Sequence, residues 1–181
     1  MISKYKVLVI CGVSGSGKST LEEALIDAYP TSFNKWSQVT TRKMREGEKQ
    51  GSPYVFMSGP QFKAIKHCLT GLNGVEQNTL FDAQYGSLFD IQPSRVSTVI
   101  LSAEGIKYFL EDLDRIGVKR EEVLILGLNV DVNHPFAVRE GRDIEFLKAE
   151  YTQLEGLVDH TLTVSNGRFI DPSTIVELLQ S

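Results

Sequence analysis

The sequence predicts a three-layer α/β/α fold built on a parallel core sheet. Two observations carry this prediction: short apolar runs recur along the chain, and segments with apolar residues at helical spacing lie between them. Strands that alternate with helices form parallel βαβ units, whose strands are covered on both faces. The 181 residues correspond to about one domain with a sizeable core.

Four strands of this sheet are predicted. The first is Val7–Cys11, a continuous apolar, β-branched run. Val96–Leu101 and Val123–Leu128 are two more strand-like runs, and Leu162–Val164 is a shorter candidate. Continuous apolar runs of this length are typical of buried parallel strands.

Helices are predicted between and after these runs. Apolar residues recur at helical spacing over Leu21–Ala28, which Pro30 ends, and Ser58 with Gln61 predicts the capping box of a short helix. Asp171 and Pro172 predict the N-cap and first turn of a final helix through Leu179. One further segment has apolar residues at helical offsets: Ile106, Phe109, Leu110 and Leu113.

Two segments interrupt the alternation of strands and helices. Residues 35–92 are rich in polar and turn residues, and residues 133–148 contain a second basic, irregular stretch. We therefore predict a single domain over residues 1–181. Its core comprises residues 1–34 and 93–181, with an insert at 35–92 and a short lid at about 133–148.

Composition and charge exclude several functions. Lys plus Arg number 19 and Asp plus Glu number 23, a net charge of −4, which argues against general nucleic-acid binding. The sequence has no run of about 18 apolar residues, so no membrane span is expected, and the N-terminal apolar run is too short for a signal peptide. The cysteines, Cys11 and Cys68, have no metal-ligand spacing and favour the reducing cytoplasm. The sequence makes no prediction of oligomeric state.

The first predicted strand leads into a glycine-rich loop of the form G-x-x-x-x-G-K-S. In such a loop backbone N–H groups surround a phosphate, and the following helix adds its positive N-terminal end. Lys18 is predicted to meet the β- and γ-phosphates of ATP, and the Ser19 hydroxyl to coordinate Mg²⁺. The alternative is a Gly/Ser-rich turn with an accidental lysine. The predicted ATP phosphate-binding residues are Gly12, Ser14, Gly15, Ser16, Gly17, Lys18, Ser19 and Thr20.

The stretch from residue 37 to residue 56 resembles the GMP-binding segment of guanylate kinases, S-x-T-T-R-x-x-R-x-G-E-x-x-G-x-x-Y-x-F. Glu76 also lies nine residues before Tyr85-Gly86-Ser87, at the spacing of that family. The resemblance covers residues 6–110 well and the C-terminal third loosely. The matching residues within the segment are Thr40, Thr41, Arg42, Arg45, Gly47, Glu48, Gly51, Tyr54 and Phe56.

The resemblance implies that Arg42, Arg45, Tyr54 and Tyr85 hold the acceptor phosphate. Guanidinium forks three residues apart, with phenolic donors, suit a dianionic phosphate. The alternative is a solvated basic turn, because Glu46 and Glu48 offset part of the charge.

The resemblance also implies that Glu76 and Ser87 read the guanine base. A carboxylate accepts from guanine N1–H and N2–H together, a pair of donors that adenine does not offer. The alternative for Glu76 is an exposed acid. Two positions depart from the family pattern, Gln38 in place of a serine and Ser102 in place of an acidic residue. We assign both to monophosphate binding, and the departures weaken the case for strict GMP specificity.

Arg139 and Arg142 resemble the arginines of the family's lid and are the predicted catalytic partners of Lys18. They lie one helical turn apart and are expected to contact the transferred phosphoryl group. The alternative is that one of them caps a helix C-terminus. Asn166 resembles an asparagine near the ATP base, with a plain turn asparagine as the alternative.

The resemblance as a whole implies an ATP-dependent nucleoside monophosphate kinase with GMP or dGMP as acceptor and Mg²⁺ as cofactor. The insert and the lid are then expected to close over the substrates and exclude water. Two alternatives stay open. One is a kinase for another or a modified nucleoside monophosphate, which Gln38 and Ser102 favour; the other is a non-catalytic binding module, against which Lys18 and Ser19 argue.

Overall fold

The computed structural model describes residues 3–74, 83–130, 144–164 and 170–181, which divide into two compact units. The first unit comprises Met1–Lys35, Ile91–Ala103 and Lys119–Ser181, and the second comprises Trp36–Asp90 and Glu104–Val118. In chain order the elements are β1 (Val7–Gly12), α1 (Lys18–Ala28), β2 (Phe33–Lys35), β3 (Ser37–Thr40), β4 (Val55–Phe56), α2 (Gly59–Ile65), β5 (Leu69–Asn73), β6 (Tyr85–Leu88), β7 (Val96–Ile100), α3 (Ala103–Glu111), α4 (Leu113–Ile116), β8 (Val123–Val130), α5 (Ile144–Leu154), β9 (His160–Val164) and α6 (Pro172–Gln180).

The first unit is built on a five-stranded sheet in the order β2-β7-β1-β8-β9, and every pairing in it is parallel. The predicted α/β class and the four predicted strands are confirmed. Four bounds differ slightly: β1 continues to Gly12 and β8 to Val130, β7 ends one residue early at Ile100, and β9 starts two residues early at His160. The short β2 was not predicted, because three residues give too little pattern to detect.

The core of the first unit explains why β1 is apolar throughout. The side chains of Val7, Leu8, Val9, Ile10 and Cys11 are fully buried. One large cluster joins the sheet to helices α1 and α6, so this face of the sheet is covered as a parallel sheet requires. Its buried members are Leu8, Ile10, Leu21, Leu25, Phe33, Val96, Leu124, Leu126, Leu128, Ile175 and Leu179.

One charged pair interrupts this apolar interior. Glu22 of α1 has only 1% of its side chain exposed, and its Oε2 lies 2.6 Å from Nζ of Lys35, which is 36% exposed. Burial raises the pKa of the Glu22 carboxyl above its ordinary value of 4.5, and the ammonium of Lys35 opposes that shift only in part. The ionised carboxylate therefore costs the folded state free energy.

This raised pKa predicts a pH dependence of stability. Between pH 4.5 and the folded-state value, the native protein binds more protons at Glu22 than the unfolded chain, so the free energy of unfolding falls as pH rises. Glu22→Gln lacks this effect. Urea unfolding of both proteins at pH 5 and pH 7 should show wild type losing stability relative to the variant on going to pH 7. A difference that stays constant between the two pH values would contradict the assignment.

The second unit has a four-stranded sheet in the order β4-β3-β6-β5, in which β3 and β4 are parallel and the other pairs antiparallel. Helix α2 starts with the predicted capping box: Ser58 accepts from the Gln61 N–H, and the Gln61 side chain accepts from the Ser58 N–H at 2.8 Å. Phe62 of α2 packs with Val39 and Leu69 in a small core. The sequence predicted this helix but not the sheet.

Residues 104–118 belong to the second unit and are linked to it by aromatic and polar contacts. The Trp36 and Phe109 rings meet edge to face with centroids 6.0 Å apart. The Arg115 guanidinium donates to the carbonyls of His67 at 2.9 Å and Leu69 at 2.6 Å and lies over the Phe89 ring. The apolar pattern at 106–113 is thus part of two helices, α3 and α4, rather than one. The single-domain division with an insert at 35–92 stays a prediction.

Among the described residues, no helix is long and apolar enough to cross a membrane. Both cysteines in this part of the chain are free, Cys11 buried and Cys68 exposed. Burial raises the pKa of the Cys11 thiol to about 12, so this side chain behaves as an apolar core group.

Candidate active site

The glycine-rich loop connects the C-terminal end of β1 to the first turn of α1, as predicted. Gly12 has φ 146°, and a Cβ on it would lie 2.5 Å from the Leu128 carbonyl oxygen, so no larger residue fits there. Gly17 is the N-cap of α1 in the left-handed conformation, with φ 85°. These two glycines let the backbone turn from strand to helix within the five residues that separate β1 from α1.

The polar side chains of the loop point in different directions. Lys18 Nζ donates to the carbonyls of Gly12 and Val13, both at 2.8 Å, while Ser19 and Thr20 are exposed on the first turn of α1. The Ser16 hydroxyl is buried and has no hydrogen-bond partner among the described residues. A buried hydroxyl without a hydrogen-bond partner is costly, and a bound ligand can supply that partner.

One residue at this loop was not predicted from the sequence. The Ser14 N–H donates to Oε2 of Glu150, in α5, at 3.0 Å. The contact spans 136 positions along the chain, and neither α5 nor its contact with the loop is encoded in a local motif. A carboxylate thus occupies one of the loop N–H groups that suit an anion.

The second unit brings three of the predicted phosphate-binding side chains together. The Arg42 guanidinium carbon lies 5.6 Å from the Tyr54 ring centroid and 5.2 Å from that of Phe56. The rings of Tyr54 and Tyr85 meet edge to face with centroids 5.7 Å apart. Burial raises the pKa of the Tyr54 hydroxyl, so the phenol stays protonated and can donate to an anion.

Glu48 holds Arg42 in this cluster. Arg42 donates to both Glu48 carboxylate oxygens, at 2.9 and 2.8 Å, and the Arg45 N–H donates to the same carboxylate at 2.7 Å. These hydrogen bonds, the one from Arg42 above all, lower the pKa of Glu48 to about 2. The Arg45 side chain is exposed, so the structure joins it to this group through its backbone.

The candidates for base recognition share one face of the second sheet. Register pairs Gln38 with Ser87 and Ser87 with Thr70. Their strand neighbours Val39, Leu69 and Leu88 pack in the small core, so the three polar residues lie on the opposite face. Thr70 was not predicted, because its position depends on the pairing of β5 with β6.

Thr70 also supports a stability prediction. Its side chain is fully buried, and its hydroxyl has no hydrogen-bond partner in the described part of the chain. Thr70→Val keeps the shape and removes the unsatisfied group, so the free energy of unfolding should rise by about 1 kcal/mol in urea titrations.

Thr40→Val is the matched control for this prediction. The Thr40 hydroxyl is equally buried but donates to the Gln84 carbonyl at 2.9 Å and accepts from the Arg42 N–H at 3.1 Å. Its loss should lower stability by about 1 kcal/mol or more. The prediction is confirmed if the free energy of unfolding rises in Thr70→Val and falls in Thr40→Val. A loss of stability in both variants would show that the Thr70 hydroxyl has a hydrogen-bond partner.

The remaining predicted residues lie elsewhere. Ser102 follows β7 in the first unit and is exposed. Glu104, two residues later, accepts from the Gly74 N–H at 3.3 Å within the second unit. The other predicted site residues, Glu76, Arg139, Arg142 and Asn166, lie outside the described residues. No group of three or more His, Cys, Asp and Glu side chains suited to a metal ion occurs in the ranges that the structure describes.

Comparison with known proteins shows which proteins this arrangement is similar to. The guanylate kinase family model matches residues 4–91, which include the glycine-rich loop and the Arg42 cluster. Over residues 4–91 the chain is therefore similar to guanylate kinases. A guanylate kinase of Helicobacter hepaticus is 44% identical over 80 residues, or 44% of this chain and 40% of that protein. One of Mycoplasmopsis pulmonis is 30% identical over 115 residues, 61% of this chain and 57% of the relative.

A solved structure extends the likeness in fold beyond the matched segment. The crystal structure of guanylate kinase from Anaplasma phagocytophilum superposes with a TM-score of 0.67, covering 98% of this chain and 85% of that one at 21% identity. At this identity the likeness concerns the fold. The chain spans about two fifths of the first of these two curated relatives and about three fifths of the second.

Proposed function

We propose that the chain is an ATP-dependent nucleoside monophosphate kinase with GMP or dGMP as acceptor. The observation that carries this proposal is the presence, in one chain, of two different phosphate-binding arrangements. The loop with Lys18 suits a polyphosphate, and the Arg42, Tyr54 and Tyr85 cluster suits a terminal monophosphate. A module that binds one phosphorylated ligand needs only one of them.

The chemistry asked of these residues is positioning and neutralisation. Phosphoryl transfer brings two polyanions in line and spreads negative charge over the transferred group. Lys18 is proposed to leave the Gly12 and Val13 carbonyls for the β- and γ-phosphates. Arg42, Arg45 and the two tyrosines would hold the acceptor phosphate, and the lid arginines Arg139 and Arg142 stay predicted partners of the transferred group.

The residues present fit Mg²⁺ that arrives with the nucleotide. The first turn of α1 offers the exposed Ser19 hydroxyl, an oxygen ligand of the kind that Mg²⁺ prefers, and Mg²⁺ is commonly shared between a protein oxygen and substrate phosphates. The buried, unpartnered Ser16 hydroxyl marks the same loop as a site completed by a ligand. Bound there, Mg²⁺ would neutralise charge on the β- and γ-phosphates.

Two further aspects belong to the same proposal. Gln38, Ser87 and Ser102 are assigned to the acceptor base, with Glu76 as its carboxylate partner. The free cysteines in the described part of the chain support the expectation of a reducing, cytoplasmic compartment.

ADP release measured with a panel of nucleoside monophosphates tests this function. The full chain should turn over GMP and dGMP faster than AMP, CMP or UMP when MgATP is present. Turnover of another monophosphate alone would favour the kinase for a different or modified nucleotide, which Gln38 and Ser102 support. A folded protein that binds GMP but releases no ADP with any acceptor would favour the binding module.

A further inference from the structure

The contact between Glu150 and the glycine-rich loop is a feature that the proposed function does not use. Oε2 of Glu150 accepts the Ser14 N–H at 3.0 Å. Backbone N–H groups of such a loop are the donors that bind phosphate oxygens. A carboxylate oxygen is a charged acceptor of the same kind, and here it takes one of these donors.

The contact joins elements that the fold holds in place. Glu150 lies within α5, an eleven-residue helix that contacts β1, the strand leading into the loop. Its side chain is half-buried, so water screens its charge only in part. A helix that carries the carboxylate to this loop makes the contact a built feature rather than a chance surface hydrogen bond.

The cation of the loop is engaged in the same arrangement. Lys18 Nζ donates to two loop carbonyls, Gly12 and Val13, at 2.8 Å each. The loop therefore has a carboxylate on one of its N–H donors and its own carbonyls around its ammonium. Nucleotide phosphates at this loop would compete with Glu150 for the Ser14 N–H and would replace the two carbonyls as partners of Lys18.

We propose that Glu150 is a resident competitor for the nucleotide phosphates at the glycine-rich loop and thereby sets the affinity for ATP. ATP binds when the carboxylate leaves the Ser14 N–H, and the phosphates then take that donor. The inference rests on the proposed nucleotide binding, because the competition matters only if the loop binds phosphate. Two like charges that share one donor also repel each other, so the effect grows with the negative charge of the ligand.

Removing the charge of Glu150 while keeping its shape tests the proposal. In Glu150→Gln the side-chain oxygen is neutral, a weaker acceptor that does not repel phosphate. We expect the variant to bind ATP about 10-fold more tightly than wild type in isothermal titration calorimetry at low salt, with the factor shrinking as salt is added. Unfolding midpoints without ligand show that both proteins are folded.

Glu145→Gln is the matched control, since it makes the same change of charge on the same helix. Glu145 is 81% exposed and pairs with Lys148 at 3.1 Å, an exposed ion pair of little energetic value. Its substitution should leave the affinity for ATP within about twofold of wild type. An equal gain in both variants would overturn the proposal, because the effect would then reflect the overall charge of α5 and not the contact with Ser14.

Other outcomes separate the inference from the proposed function. If wild type binds MgATP and Glu150→Gln binds it equally or more weakly, the inference is overturned and the proposed function stands. If binding by Glu150→Gln is weaker only when Mg²⁺ is present, the inference is also overturned, and the carboxylate would act on the metal. If neither wild type nor any variant binds ATP, the proposed function itself fails. Lys18→Ala, measured alongside, should lose affinity where the loop is the binding site.

Discussion

Lys18→Ala is expected to lower kcat by at least ~100-fold while leaving the fold intact. In the structure the ammonium already lies within the loop, on the Gly12 and Val13 carbonyls, so it needs only a short rearrangement to reach a bound phosphate. Charge develops on the phosphoryl oxygens as the bond to ADP breaks, and a fixed cation is most valuable at that moment.

The measurement is steady-state ADP release at saturating GMP and ATP, with circular dichroism and urea unfolding to check the fold. Lys107→Ala, an exposed lysine in the second unit, is the control and should keep wild-type kcat. The two lost hydrogen bonds to loop carbonyls should lower the free energy of unfolding by no more than about 1–3 kcal/mol. A folded Lys18→Ala protein with near-normal kcat would contradict the interpretation of the loop as part of a catalytic site.

Arg42→Ala should lower the affinity for the nucleoside monophosphate about 10- to 150-fold, because one charge-assisted contact is worth about 1.5–3 kcal/mol. The affinity for ATP should change little. The structure adds a second reason for a large effect. Glu48, whose low pKa depends chiefly on Arg42, loses this partner in the variant, and its carboxyl group, with an ordinary pKa of 4.5, stays ionised at neutral pH. An unpaired carboxylate in the cluster then repels the acceptor phosphate.

A double variant separates these two contributions. In Arg42→Ala with Glu48→Gln the repulsion is removed, so the affinity for the monophosphate should recover in part but not fully. KM for GMP and for ATP would be compared in wild type, both single variants and the double variant. An equal loss of affinity for both substrates in Arg42→Ala would show that the assignment of residues 35–92 to the acceptor monophosphate is wrong.

The sequence predicted best where structure follows from a continuous local pattern. β1 and the loop after it were predicted because a buried parallel strand is apolar throughout and because the loop needs glycine at Gly12 and Gly17. The caps at Ser58 and Asp171 were likewise confirmed, since capping uses residues within three positions of each other. Such signals require no knowledge of distant parts of the chain.

The features that were missed depend on pairing across the chain. The strands β3 to β6 are two to five residues long and mix polar with apolar residues, which gives periodicity little to detect. Nothing in the sequence indicated that Thr70 and Glu150 belong to the candidate site, because each is placed there by a distant partner. Thr70 pairs with Ser87 across the sheet, and Glu150 accepts from Ser14, 136 positions away in the chain. The ion pair of Arg42 with Glu48 was visible only as two nearby residues of opposite charge.

The discontinuous make-up of the second unit limits how the protein can be dissected. A fragment cut at residues 36 and 90 would contain both edges of the four-stranded sheet but not α3 and α4. It would leave the Trp36 ring without the Phe109 ring that packs against it, and the carbonyls of His67 and Leu69 without Arg115. Isolating this unit for study therefore calls for a chain in which residues 104–118 are joined to residue 90 by a linker, or for a circular permutant, rather than for simple truncation.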